Sequence, residues 1–199
     1  MPDSLRFGVV ILAAGASTRL GSPKQLLAIG GLPLLPRTIE AALASGAETV
    51  VVVLGFDAGR IRTVVERYPV LIVENLFWAE GMASSIRAGV ARIDQCSPPL
   101  DATALAVCDQ PAFSADSLRR LAAALQATGR SIAAARYAGR NGAPAVFRRR
   151  HFPGLGRLTG DQGARALLNA DPDQVASVDM PELELDIDTP DDFARAELS

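Results

Sequence analysis

Two basic side chains within one glycine-bearing loop are the first sign of chemistry in this chain. Arg19 and Lys24 lie in the stretch Val-Val-Ile-Leu-Ala-Ala-Gly-Ala-Ser-Thr-Arg-Leu-Gly-Ser-Pro-Lys, residues 9–24. It begins as an apolar run, Phe7 to Leu12, and then empties into Ala13, Ala14, Gly15, Ala16 and Ser17. A buried strand that runs out into small residues lets a ligand approach the backbone closely. Successive main-chain N–H groups can form an anion-binding nest there, and Arg19 and Lys24 supply mobile positive charge. A triphosphate needs both. The spacing excludes a Walker A loop, because five residues rather than four separate Gly15 from Gly21, and Lys24 comes three positions after Gly21 and precedes Gln25 rather than Ser or Thr. It is not Gly-x-Gly-x-x-Gly either. The plain alternative is a tight turn with a surface Arg and Lys, which leaves the whole series of small residues, Arg, Gly and Pro-Lys unexplained.

Carboxylates that could complement these cations stand far away in sequence. Asp109 follows the apolar run Thr103 to Val107, so it sits at the carboxyl end of a strand. An Asp there can hold Mg²⁺, a hard cation that takes one or two carboxylates plus phosphate oxygens. The competing role is a turn Asp before Pro111. Near the C-terminus, Asp186-Ile187-Asp188-Thr189-Pro190 puts two carboxylates on one face of an extended segment by alternation. Either is a candidate second ligand, and ordinary capping before Pro190 is the alternative. Gly81-Met82-Ala83-Ser84-Ser85-Ile86 joins a flexible turn to two hydroxyls at a helix start, which can read a base edge, position a phosphate or simply cap the helix. Trp78 has two readings, a lid over substrate or a core aromatic.

The first loop resembles the signature of nucleotidyltransferases that act on the molybdenum cofactor, within the sugar-nucleotidyltransferase-like group. Leu12-Ala13-Ala14-Gly15 and Pro23-Lys24 are similar to the cytidylyltransferase branch, whereas the guanylyltransferase branch has Leu-Ala-Gly-Gly and an Asp before the Lys. Asn75-x-x-Trp78-x-x-Gly81-Met82-x-x-Ser85 resembles the same branch. The resemblance implies that Leu12, Ala13, Ala14, Gly15, Gly81, Ser84 and Ser85 lie against the nucleotide with Arg19, Lys24 and Asp109. It favours Asp188 over Asp186 as the second metal ligand. Gly142-Ala143-Pro144-x-x-Phe147 and Gly160-Asp161-x-Gly163-Ala164-Arg165 resemble acceptor-side segments, implicating Pro144, Asp161 and Arg165. Members of the family often carry a polar residue where this chain has Ala143.

The implied activity is Mg²⁺-dependent transfer of CMP from CTP to the phosphate of molybdenum-bound pterin, with a molybdenum hydroxylase as a possible recipient of the product. Lys24 is expected to meet charge at the α-phosphate, and Arg19 the leaving phosphates. Other readings keep the fold but use GTP or a sugar or polyol phosphate, or make the protein a non-catalytic cofactor-insertion chaperone.

The elements that must position these groups follow from pattern. Apolar strand-like runs at Phe7–Leu12, Thr49–Leu54, Val70–Val73 and Thr103–Val107 alternate with helical stretches near 35–45, 57–68, 83–93 and 114–127. Asp57 and Ser114 or Asp116 are candidate N-caps. Further on come strands at Ser131–Tyr137 and Ala143–Phe147, joined by a turn centred on Asn141-Gly142, and short strands at Val175–Val178 and Leu185–Asp188. A short helix is expected to open over Gly160–Arg165 with Asp161 near its start, and a last helix at Pro190–Leu198. This pattern predicts an α/β three-layer sandwich with a mostly parallel sheet, in one nucleotidyltransferase domain over residues 1–199. Ligands in such sheets bind at the carboxyl ends of strands, where the candidates above cluster. With 20 Lys and Arg against 22 Asp and Glu, nothing in the charge favours nucleic acid or an anionic membrane. The two cysteines suggest neither a disulfide framework nor a metal cluster, and Cys108 reads as a buried thiol. The basic run Arg148–His151 reads as a solvated helix end. The first residues are no signal peptide and no apolar run nears the roughly 20 residues of a membrane span, so a cytoplasmic location is expected.

Overall fold

The computed structural model describes residues 5–161 and 163–198. Met1–Ser4, on which the expectation about a signal peptide falls, Gln162 of the Gly160–Arg165 segment, and Ser199 lie outside the described residues.

The central sheet is built from β1 (Phe7–Ala13), β4 (Thr49–Leu54), β5 (Leu71–Glu74), β6 (Ala102–Val107), β7 (Ile132–Tyr137), β8 (Arg140–Arg148) and β9 (Val175–Asp179). Their spatial order is β5-β4-β1-β6-β8-β7-β9. β8 is antiparallel to both its neighbours, while every other pairing is parallel. A two-strand hairpin, β2 (Ala28–Ile29) and β3 (Leu32–Pro33), stands apart.

The continuous apolar runs make sense because both faces of the sheet are covered. On β1, Val9, Ile11 and Ala13 join one core while Val10 joins the other. α1 (Leu34–Leu43), α2 (Ala58–Val65) and α4 (Ala115–Thr128) cover the first face, through residues such as Ile39, Ile61 and Leu121. α3 (Met82–Asp94), α5 (Phe152–Leu155) and α6 (Arg165–Ala170) cover the second, through Ile86, Leu155 and Leu168. α7 (Pro190–Glu197) packs in a third small cluster, where Ile187 and Ala196 meet Ile29 and Leu34. The fold is therefore the expected three-layer α/β sandwich. The chain leaves β1 toward β4 on one side and returns to β6 on the other, so the crevice at the carboxyl ends of β1 and β6 is a topological switch point.

Several local expectations are corrected. Asp57 precedes α2, but it adopts a left-handed φ of 53° and makes no side-chain cap. Ser114 does cap α4, in a reciprocal box with Ser117. The β7–β8 turn falls on Ala138 and Gly139, with φ of 48° and 73°, and Tyr137 pairs with Arg140. Asn141 and Gly142 are strand residues. Gly142 is there for close approach, because a Cβ would sit 2.5 Å from the Tyr137 hydroxyl. The register then jumps from Ala135–Gly142 to Ala134–Ala145, leaving Ala143 and Pro144 out of the ladder. Proline has no N–H to donate to a ladder, so the irregularity falls where Pro144 stands. Residues 185–188 form no strand; they are an unpaired segment crossing the end of the sheet, pinned by Ile187 N–H donating to the Asp109 carbonyl at 2.8 Å. α6 starts only at Arg165, so Asp161 lies in the preceding loop.

Candidate active site

The loop after β1 is held open by its own sequence. Ser17 takes a positive φ of 52°, and its hydroxyl accepts the Lys24 backbone N–H at 3.1 Å. This turn brings Lys24 back across the mouth of the crevice. β6 delivers Asp109 to the same point, and the segment pinned by Ile187 delivers Asp188. Lys24 Nζ lies 2.5 Å from Asp109 Oδ2 and 2.9 Å from Asp188 Oδ1. Arg19 reaches the other oxygen of Asp188 at 3.0 Å. Four residues spread over 170 positions of sequence thus meet in one charge cluster.

The Lys24 and Asp109 side chains are only 15% and 17% exposed, whereas Arg19 is 67% exposed. Burial is the largest single influence on Lys24 and disfavours its charge, but the charges and hydrogen bonds of Asp109 and Asp188 outweigh it, so its pKa rises. For Asp188 burial pushes upward and is overcome by Lys24 and Arg19, leaving its pKa lowered. For Asp186 burial, then the neighbouring Asp109 and Asp188 charges, outweigh the lowering by Gln110 and Lys24 and raise it to about 6.

Two cavities adjoin at this cluster. The first, about 350 Å³, is lined by Ala13 to Ala16, Trp78, Gly81 and Ser85, among others. The second, about 440 Å³, is lined by Arg19, Gln110, Tyr137, Ala143, Arg165 and Asp186, among others. Leu12, Lys24, Met82, Asp109 and Asp161 line both. Lys24 and Asp109 therefore stand on the seam, where a group could pass from one bound molecule to another.

Each predicted site residue has a place in this arrangement. Leu12, Ala13, Ala14, Gly15, Gly81 and Ser85 line the first cavity together with Lys24 and Asp109. Ser84 is buried beneath it, donating to the Gly81 carbonyl at 2.9 Å and accepting from Asn75. Gly81, not Ser84, occupies the N-cap of α3. Arg19 lines the second cavity, where it pairs with Asp188. Asp161 and Arg165 border the second cavity, and Pro144 is buried behind Ala143 and Ala145, which line it. Trp78 is half-buried rather than a core aromatic; it meets the exposed Phe56 edge to face at 5.4 Å and walls the first cavity.

Three further residues, to which the sequence reading gave no role, support the site. Gln25 is 1% exposed, and its amide donates to the Ala13 carbonyl at 2.8 Å and the Gly15 carbonyl at 3.0 Å. Gln110 donates to the Tyr137 hydroxyl and the Leu183 carbonyl, both at 3.1 Å, tying the wall of the second cavity together. Asn75 holds Ser84 and Ser85 at 2.8 and 3.0 Å. A polar residue next to a motif was the available signal for Gln25 and Gln110. Gly81 is explained by contact as well as by its φ of 104°, because a Cβ would fall 2.3 Å from Asp161 Oδ1 and 2.7 Å from the Gly160 carbonyl.

The chemistry of this donor set fits a divalent cation. The Lys24 ammonium marks a point where positive charge meets both carboxylates, and Asp109 Oδ1 is buried with no hydrogen-bond partner. Among the described residues no group of three or more His, Cys, Asp or Glu converges for metal binding. That suits an ion taking one or two carboxylates and completing its shell with phosphate and water.

Comparison with known proteins gives the family. Residues 9–184 match the model of the MobA-like NTP transferase domain. The chain belongs to that family. It is a nucleotidyltransferase of the MobA-like group, and the matched segment contains every residue of the cluster except Asp188. Among curated relatives it is 30% identical to a molybdenum cofactor guanylyltransferase of Rhodobacter capsulatus, over 97% of this chain and 96% of that one. It is 32% identical over 111 residues to a 2-aminoethylphosphonate cytidylyltransferase of Lancefieldella rimae, spanning 52% of this chain and 45% of the relative's length. Rv0371c from Mycobacterium tuberculosis H37Rv superposes with a TM-score of 0.81 at 33% identity, covering 98% of this chain and 99% of that one. A second structure of Rv0371c, in complex with manganese, gives a TM-score of 0.77 at 30% identity, covering 98% and 99% of the two chains. No helix among the described residues is long and apolar enough to cross a membrane.

Proposed function

We propose that this MobA-like protein transfers CMP from CTP to the terminal phosphate of a molybdenum-bound pterin and releases pyrophosphate, with Mg²⁺ as cofactor. The observation that carries this reading is Lys24 Nζ standing against Asp109 and Asp188 at the seam of the two cavities. The first cavity takes the nucleotide, against Leu12 to Gly15, Gly81 and Ser85, and the second takes the acceptor. An acceptor phosphate oxygen attacks the α-phosphorus while the bond to the bridging oxygen of the β-phosphate breaks. That acceptor is already ionised near neutral pH, so no strong general base is required and catalysis is positioning plus charge stabilisation. Lys24 exchanges its carboxylate partners for oxygens of the α-phosphate. Arg19, long and mostly exposed, meets phosphate charge from the acceptor side, and Arg165 adds a cation at the rim. Asp109 and Asp188 would hold Mg²⁺, which neutralises phosphate charge when bound. The manganese in the Rv0371c structure supports a divalent ion in this family.

CTP is favoured by the resemblance of Leu12-Ala13-Ala14-Gly15 and Pro23-Lys24, which flank the first cavity's loop, to the cytidylyltransferase branch. The names of the relatives divide, one naming a cytidylyl and one a guanylyl donor, so the donor is the point to test. Pyrophosphate release is measured with CTP, GTP, ATP or UTP in Mg²⁺, against molybdenum-pterin and against 2-aminoethylphosphonate. Release with CTP and molybdenum-pterin is expected. Release only with another pairing reassigns the substrates, and release with none removes the catalytic reading in favour of cofactor carriage.

A further inference from the structure

We infer that Gln25 is a positioning residue that presets the nucleotide loop, an assignment that rests on the nucleotidyl-transfer reading. Its side chain is 1% exposed and reaches back beneath the loop after β1. The amide nitrogen donates to the carbonyls of Ala13 and Gly15. The carbonyl between them, that of Ala14, accepts the Phe56 N–H at 3.0 Å. Three consecutive carbonyls are thereby held by the body of the fold. The cis peptides of the chain lie elsewhere, at Ser97-Pro98 and Ala143-Pro144, so each of these three peptides is trans. A trans peptide sets its N–H opposite its carbonyl. Holding the carbonyls of residues 13, 14 and 15 therefore fixes the directions of the N–H groups of Ala14, Gly15 and Ala16, in the stretch that lines the first cavity. An array of amides fixed in advance spends nothing on ordering when polyphosphate arrives.

The orientation of the Gln25 amide follows from its partners, since reversing it would place oxygen against two carbonyl oxygens. Oε1 is left buried with no hydrogen-bond partner. A buried group kept at that cost is a sign of a role beyond packing. Gln25 also follows Lys24 directly, so the same two bonds fix where the catalytic ammonium enters the seam.

The test uses Gln25→Met, which keeps the length and loses the donor, and Gln25→Glu, which sets a carboxylate against the two carbonyls. Binding of CTP with Mg²⁺ is followed by calorimetry, kinetics are split into KM for CTP and KM for the acceptor, and hydrogen exchange of residues 14–17 is read in the free protein. The expected result is graded. Gln25→Met weakens CTP binding about 10- to 100-fold, as loss of preset donors does, and Gln25→Glu weakens it further. The acceptor KM stays near that of the parent, and exchange at residues 14–17 quickens in both variants. Equal CTP affinity in parent and Gln25→Met, or parallel losses for both substrates, would overturn the assignment. If the parent binds no nucleotide, nucleotidyl transfer fails, and exchange still decides the role of Gln25. Faster exchange confined to residues 14–17 supports loop positioning, and unchanged exchange refutes it.

Discussion

Replacing Lys24 with Met should separate what the charge cluster does for stability from what it does for catalysis. At 2.5 Å the Lys24–Asp109 attraction is about 7 kcal/mol gross with an effective dielectric near 20, before the cost of desolvating both groups. The net loss on removing one partner of a largely buried pair is about 3–5 kcal/mol, because the other charge is left uncompensated. In a chain of this length that is a fall in Tm of roughly 6–20 °C. Asp109 would then face Asp186 and Asp188 with only Arg19 nearby. The Asp186 carboxyl, already raised to about 6, would lose a cation that lowers it, so the deficit is full at pH 8 and shrinks as pH falls through 6. The parent should gain less over the same range, where the raised Asp186 carboxyl contributes while still beside Lys24. Its raised Lys24 pKa gives up stability only in strong alkali, and its lowered Asp188 pKa only below the ordinary carboxylate range. The triple variant Lys24→Met, Asp109→Asn, Asp188→Asn should return to within about 1 kcal/mol of the parent, since an apolar or neutral replacement for a buried ion cluster is often harmless. Both variants should lose at least about 10²-fold in turnover. Urea denaturation in EDTA at pH 8 and 5, with pyrophosphate release alongside, reads all of this. A Lys24→Met protein as stable as the parent, or a triple variant as weak as the single one, would refute the idea that the cluster is kept for phosphate chemistry at the expense of stability.

Other expectations are more local. Asp109→Ala should abolish pyrophosphate release and remove the stabilisation of CTP binding by Mg²⁺, with circular dichroism showing a folded chain. Asp186→Asn should raise stability at pH 8 in EDTA and lose that advantage between pH 6 and 4. A carboxyl with its folded pKa near 6 against 3.8 unfolded favours the native state increasingly as pH falls through that window, and Asn cannot. Gly81→Ala should cost about 2–4 kcal/mol or displace the Asp161 loop, given its φ of 104° and the 2.3 Å contact, and weaken both substrates. A thiol reagent at pH 8 should label Cys96, which is half-buried, and spare Cys108, whose thiol is pushed up to about 12 by burial and by Asp109, until the chain is unfolded.

The strands of the parallel half were legible because their apolar runs answer to burial on both faces, and β4 falls where the run Thr49–Leu54 placed it. The meeting of Arg19, Lys24 and Asp109 followed from one rule, that strand ends in such sheets face a common crevice, whereas Asp188 was reached through the family resemblance. What could not be read was decided by contacts distant in sequence. Asn141-Gly142 looks like a turn, yet Gly142 is spent on room for Tyr137 and the turn moves to Ala138-Gly139. Residues 185–188 alternate like a strand, and Asp186 and Asp188 do face the same cavity, but the chain there bonds to the loop after β6 instead of joining a sheet edge. Gln25 and Gln110 are invisible as site residues until the carbonyls they hold are known.

The bond from Ile187 to the Asp109 carbonyl also separates scaffold from closure. The seven strands of the large sheet all end by Asp179, so the segment that carries Asp188 can leave the crevice without breaking a strand pair. Docked by that bond and by the buried Ile187 side chain, it lies across the crevice like a clasp.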